Sequence, residues 1–366
     1  MQSDRFRPLL TAHGPYGSVY FDDSHDTEDA AKQIELKWRE MREQLEQQGA
    51  EQAIVENLER AINDTHPPVG KSGRAIVASA DEVLLNEHLT HPAATPVARL
   101  STMPYIIPVV EYGLELSPYV VVAVDHAGGD ITLHRDGRTE AKEVDGGGYP
   151  VHHAKSAESP GYGDPQRTTE NAVFQNLRAV GEELTKFVDE CRPSVVFIVG
   201  EVESRTDFKT VLPERVMELV KEVEVGARHS YDEGELRHEI DQEFQRRRVA
   251  AIDDAAQRFQ AEINRDSGFA TEGLAGVTAA LRFRAVDTLI IGDLGDETVV
   301  AGDELSMVAP NPDVLSEFGT APTQVLRADE ALPLAAVAAG ASLVRTDERL
   351  DPAEGVGAVL RFPIRY

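Results

Sequence analysis

The chain has 366 residues, 41% of them hydrophobic and 27% charged, proportions that fit a folded globular protein of two or three domains. Its 64 Asp and Glu exceed its 36 Lys and Arg by 28 charges, a field that repels phosphate in general and restricts any RNA contact to local basic patches. The single cysteine, Cys191, excludes an intramolecular disulfide, and no apolar run approaches the roughly 18 residues of a membrane span. With no apolar signal core at the amino terminus, the expected location is the cytoplasm.

The first block, residues 1–116, opens with "GSVYFDD", where Val19 and Phe21 share one face of a short strand. In "DDSHDTEDAAKQIELKWREMREQL", Ile34, Trp38, Met41 and Leu45 recur at helical spacing and predict an amphipathic helix. Asp26 or Thr27 stands where a cap belongs, with Glu28 and Asp29 expected in the first turn. Ile54, Val55, Leu58 and Ile62 predict a second helix, and "PPVGKSG" turns the chain into strands "RAIVAS" and "EVLLNEHL".

The second block, residues 117–229, begins "YVVVAVDHAGGDITLHRDGRTEAKEVDG", three β-rich runs separated by Gly-Gly and Asp-Gly turns, which predict a meander. A loop over 146–168 follows, "GGGYPVHHAKSAESPGYGDPQRT", and loops this long inside domains are uncommon without a function. Val173, Leu177, Val180, Leu184 and Val188 then line one face of a helix from about Thr168 to Cys191. "PSVVFIVGEV" is a continuous apolar run, the pattern of a strand buried on both faces.

The third block, residues 230–366, starts with a long helical pattern from about Tyr231 to Arg265, whose "RRR" at 246–248 reads as a solvated face. "TEGLAGVTAALR" predicts a helix leading into the buried strand "AVDTLIIGDL". "ETVVAG" and "ELSMVA" add β-structure, "ALPLAAVAAGASLV" holds a short helix, and "GVGAVLRF" is the last strand. The fold class is therefore α/β, in three consecutive blocks.

Local motifs yield no active site. "PPVGKSGRA" lacks the first glycine of a phosphate loop, since Thr65 stands there, and a strand follows instead of a helix. His25 sits among carboxylates without a second histidine at ligand spacing, and His152 and His153 would face opposite ways on a strand. No serine occupies a nucleophile elbow, and no catalytic residue, metal ligand or cofactor is assigned.

Taken in order, the meander, "GYPVHHAKSAESPGYGDPQRTTENAVFQNLRAVGEELTKFV" and "PSVVFIVGEVESRTDFKTVLPERV" resemble the central domain of archaeal and eukaryotic class-one peptide-chain release factors and of Pelota. Asp207 and Phe208 stand at that domain's acidic–aromatic pair. "GFATEGLAGVTAALRFRAVDTLIIGDL" and "EGVGAVLRF" follow the C-terminal domain, and the first block resembles the N-terminal domain more loosely. More narrowly, the chain is similar to actinobacterial relatives grouped with Balon-type ribosome hibernation factors. That resemblance implies a tRNA-shaped protein in the A site of idle 70S ribosomes, touching 16S and 23S rRNA beside elongation factor Tu, with no DNA or membrane partner.

It also implies two RNA-facing loops. One comprises Asp22, Asp23, Ser24, His25 and Asp26 at the decoding centre. The other reaches the peptidyl-transferase centre with Tyr149, His152, His153, Lys155, Gly161, Tyr162, Gly163, Gln166 and Arg167. In it the tyrosines are suited to base stacking and the cationic side chains to phosphate. Release factors carry Gly-Gly-Gln at this loop's tip. Here Tyr162 interrupts the glycines and Gln166 is displaced behind Pro165. "DDSHDTEDAAKQIE" replaces the stop-codon element Asn-Ile-Lys-Ser. Both departures point to a non-catalytic ribosome-binding role, with peptidyl-tRNA hydrolysis through Gln166 as the alternative.

Overall fold

The computed structural model of the chain describes residues 3–25, 29–64, 72–92, 95–113, 117–135, 138–145, 165–346 and 350–364. In chain order, the first elements are α1 (Arg7–Thr11), β1 (Tyr16–Asp22), α2 (Ala30–Gln47), α3 (Gln52–Asn63), β2 (Gly73–Ala78), β3 (Val83–Leu89), β4 (Val97–Ser101) and α4 (Ile107–Tyr112). The middle carries β5 (Tyr119–Val124), β6 (Gly128–Arg135), β7 (Arg138–Asp145), α5 (Pro165–Cys191), β8 (Val195–Gly200), α6 (Val202–Val211), α7 (Glu214–Met217) and β9 (Val220–Glu222). After α8 (Glu233–Arg265) come β10 (Ala270–Glu272), α9 (Gly273–Arg282), β11 (Val286–Ile291), β12 (Thr298–Ala301), β13 (Val308–Ala309) and α10 (Pro312–Glu317). The chain closes with β14 (Gln324–Arg327), α11 (Ala328–Ala338), β15 (Ser342–Arg345) and β16 (Val356–Leu360). Among the described residues, no helix is long and apolar enough to cross a membrane.

Contacts divide the chain into two units, Leu116–Arg246 and the pair of segments Met1–Glu115 with Arg247–Tyr366. The boundary at 246 falls inside α8. In the middle unit, one sheet runs β7-β6-β5-β8-β9, with β5, β8 and β9 parallel and β5–β6–β7 an antiparallel meander. The apolar run of β8 is buried on both faces, as its composition predicts. Val196 and Ile198 face a core shared with Leu177, Val180 and Leu184 of α5 and Phe208 of α6. Val195, Phe197 and Val199 face the other way, onto Leu236, Ile240 and Phe244 in the first part of α8. Strand alternation thus builds a three-layer unit from one hydrophobic strand.

In the other unit, the antiparallel sheet β3-β2-β1-β4 carries α2 and α3 on the face of Val19, Phe21 and Ile76, where Trp38, Met41 and Leu58 pack. Its opposite face presents Tyr16, Tyr20 and Val77 to a core shared with Leu281, Leu289, Leu332 and Val356 from the last third of the chain. The sheet β10-β16-β11-β15 and the smaller β13-β12-β14 complete this unit. First and last sequence blocks therefore share one continuous core. Arg99 of β4 ties them further, donating to Asp329 and Glu330 at 3.0 Å each at the start of α11.

Two local expectations need correction. Asp29 is the N-cap of α2 and not part of its first turn, and its side chain makes no capping bond; Asp26, Thr27 and Glu28 lie outside the described residues. "ELSMVA" adds β-structure as expected, in the two-residue β13. Arg248 is only partly exposed: it donates to the carbonyl oxygens of Val110 and Gly113, 3.1 Å each, which are left open where α4 ends. Arg246 is exposed, as expected of a solvated face, and pairs with the buried Glu243 on its own helix.

Candidate functional site

Asp145, paired with Gly128 at the end of the meander, is the last described residue before the segment expected to form the long loop, and the described chain resumes at Pro165. Tyr149, His152, His153, Lys155, Gly161, Tyr162 and Gly163 lie outside the described residues. Gln166 and Arg167 belong to the opening turn of α5, which starts three residues before the predicted Thr168 because Pro165 supplies a preset φ and needs no amide donor there.

The edge from which the loop departs is locked by Arg228, which follows β9. Its side chain is only 5% exposed. It donates to both carboxylate oxygens of Asp130, at 2.8 and 2.6 Å, and to Asp125 at 3.2 Å, and lies 3.7 Å from Glu143 of β7. Hydrogen bonding to Asp130 outweighs burial and holds the guanidinium's pKa above its ordinary value. Burial pushes the Asp125 carboxyl up, but backbone donors Ala127 and Gly128, joined by Arg228, leave it below the usual range. Asn176 of α5, buried, donates to the His126 carbonyl oxygen at 3.0 Å and ties that helix to the same turn. Nothing in the periodicity reveals Arg228. The available signal is a lone arginine in the acidic stretch "EVEVGARHSYDEGE".

The second expected loop follows β1. Asp23 is buried and accepts from the buried Arg74 of β2 at 3.3 Å. Arg74 also donates to Asn86 at 2.8 Å and to the Ala61 carbonyl oxygen at 3.1 Å. Two imidazoles flank this pair: His88 Nδ1 lies 3.7 Å and His25 Nδ1 3.9 Å from the Asp23 carboxylate. Burial, reinforced by the Arg74 cation, lowers the His88 pKa, although Asp23 opposes it. Asp22 turns the other way, accepting from Ser24 and from Lys37 of α2 at 3.1 Å. Burial raises that carboxyl, yet the bonds from Ser24 and Lys37 leave it lowered. The structure thus brings Asp23, His25, Arg74 and His88 together, sets Asp22 with Ser24 and Lys37, and leaves Asp26 outside the described residues. Among the described residues, no group of His, Cys, Asp or Glu is arranged to hold a metal ion.

The family model described as "bacterial archaeo-eukaryotic release factor family 2" matches residues 118–265, the middle unit and the whole of α8. The uncharacterized protein Rv2629 of Mycobacterium tuberculosis strain H37Rv is 49% identical over 363 residues, covering 99% of this chain and 97% of its own. The chain belongs to this release-factor family. The family's description places it among release factors, a translation-related class. Solved structures align along almost the full length at low identity. A "model of ribosome-bound archaeal Pelota and ABCE1" is 14% identical with a TM-score of 0.44, covering 99% of this chain and 95% of that one. Archaeoglobus fulgidus Pelota is 12% identical with a TM-score of 0.37, covering 99% and 92%. The archaeal termination factor aRF1 is 17% identical with a TM-score of 0.26, covering 98% and 96%.

Proposed function

We propose that the chain occupies the vacant A site of the 70S ribosome as a non-catalytic member of its family and protects idle or stalled ribosomes. In this reading the 146–164 loop enters the peptidyl-transferase centre, residues 22–26 face the decoding centre, and elongation factor Tu is the accompanying GTPase. The observation that carries it is the setting of Gln166. In the sequence Gly161-Tyr162-Gly163-Asp164-Pro165-Gln166, the glutamine belongs to α5, behind a proline, and not to a free loop tip. Water positioning tolerates little displacement, about 1 Å costing on the order of a hundredfold in rate. The Arg228 clamp supports the same reading, because a loop that must enter a confined RNA site gains from a rigid base. Internal pairing of Asp22 with Lys37 and of Asp23 with Arg74 moderates the repulsion between this acidic segment and RNA phosphate.

The test is co-sedimentation with purified bacterial ribosomes whose A sites are vacant or filled with tRNA. Binding to vacant ribosomes alone is expected; equal binding to both, or none, overturns the proposal. Peptidyl-tRNA hydrolysis is separated by release of labelled peptide, where activity lost in Gln166→Ala would replace the non-catalytic reading.

A further inference from the structure

One end of the β10–β16–β11–β15 sheet carries an uncovered aromatic pair. Phe283 closes α9 and Phe318 closes α10, and their rings meet edge to face with centroids 6.0 Å apart and planes at 74°. Each ring residue stays about half exposed, 49% and 46%. Arg282 lies over Phe318, Cζ 4.8 Å from the ring centroid, while donating to the Val308 carbonyl oxygen. The rings are fixed in place yet open to solvent.

The next residue is held at a conformational cost. Arg284 has φ +53°, and bonds from Arg284 N–H to Leu281 O (2.9 Å) and Ala285 N–H to Ala280 O (2.9 Å) make it the left-handed residue of a Schellman turn. That position favours glycine, because a Cβ crowds the following carbonyl. After α2, α10 and α11 the chain does use glycine, at Gly49, Gly319 and Gly340. After α9 it keeps arginine, exposed, and among the described residues its guanidinium has no hydrogen-bond or ion-pair partner. The cation of Arg361 adjoins it, donating to the carbonyl oxygens of Arg284, Ala339 and Gly340.

We propose that this end of the sheet docks an acidic segment of a protein partner, with an aliphatic or aromatic side chain on the Phe283–Phe318 rings and a carboxylate on Arg284. Rigid exposed aromatics beside arginine are the composition of interface anchors. Charge complementarity selects the occupant: Arg282, Arg284 and Arg361 make a local cationic rim on a chain of net charge −28. Glu317 precedes Phe318, so the partner's carboxylate is assigned to the Arg284 side. An RNA strand fits less well, since it needs several free cations along a phosphate run and flat platforms, whereas these rings stand edge to face.

The full chain would be titrated, by fluorescence polarisation, into a labelled peptide alternating leucine and glutamate, its leucine–lysine counterpart, and a polyuridine strand. The acidic peptide should bind most tightly. Phe283→Ala should weaken it about tenfold. Arg284→Gly should weaken it roughly fivefold while leaving the thermal midpoint unchanged or raised, because glycine relieves the left-handed backbone. Failure of the acidic peptide to bind, equal binding of both peptides, wild-type affinity in Arg284→Gly, or RNA binding abolished by Phe283→Ala would each overturn the assignment.

Discussion

Arg228 holds Asp130 through two parallel hydrogen bonds, 2.8 and 2.6 Å, although 98 residues separate them. The pair fixes β6 against the segment after β9, and β6 in turn holds β7, the strand that precedes the segment expected to form the long loop. A buried guanidinium on partly exposed carboxylates is an anchor whose removal exposes the need for it.

Arg228→Ala should destabilise the middle unit by about 2 kcal/mol, below the range for fully buried pairs because the carboxylates reach solvent. Arg228→Lys should recover only part of this, since an ammonium cannot bridge both oxygens in one plane. Urea unfolding followed by circular dichroism measures both. An Arg228→Ala midpoint equal to wild type would show that the clamp is dispensable.

The cluster around Asp23 should make the other unit sensitive to acid. His88 has a lowered folded pKa, so the unfolded chain binds its proton first, and stability falls as pH drops below the ordinary imidazole value near 6.5 towards the folded value. His88→Gln should flatten this part of a stability–pH curve. Asp22, also lowered, adds a separate loss at lower pH, below the ordinary carboxylate value. Asp23→Ala, which leaves Arg74 buried without its carboxylate, should cost about 3 kcal/mol at neutral pH.

Arg99→Ala should loosen the association between the first and last segments of the chain. Glu330 is buried to 2% exposure, and losing the guanidinium removes its ion-pair partner, whereas Asp329 keeps Arg327 on both carboxylate oxygens. A loss of about 3 kcal/mol is expected, together with faster hydrogen exchange in both β4 and α11. Protection lost in only one of these elements would argue against a shared cooperative core.

Shortening the loop between Gly148 and Gly161 should lower occupancy of vacant ribosomes while the far-ultraviolet spectrum stays unchanged, because Asp145 and α5 retain their partners. Gln166→Ala should leave occupancy at the wild-type level. A drop in occupancy matching that of the loop deletion would instead make Gln166 a contact residue.

Elements whose information is local are legible in the amino-acid sequence. Leu177, Val180 and Leu184 announce the buried stripe of α5, and the unbroken "VVFIVG" announces β8, because side-chain period follows from backbone geometry. The order of these elements was also enough to reveal the family resemblance. Which charges meet emerges only in the fold: Asp23 with Arg74 across 51 residues, Arg228 with Asp130 across 98, and Arg99 with Glu330 across 231. A lone arginine or aspartate carries no periodic signature, and its partner is chosen only when distant strands come into register. Likewise Tyr20 and Leu332 each look like ordinary core residues, and only the fold puts them in one core. Burial is encoded residue by residue, but pairing is a property of the assembled chain.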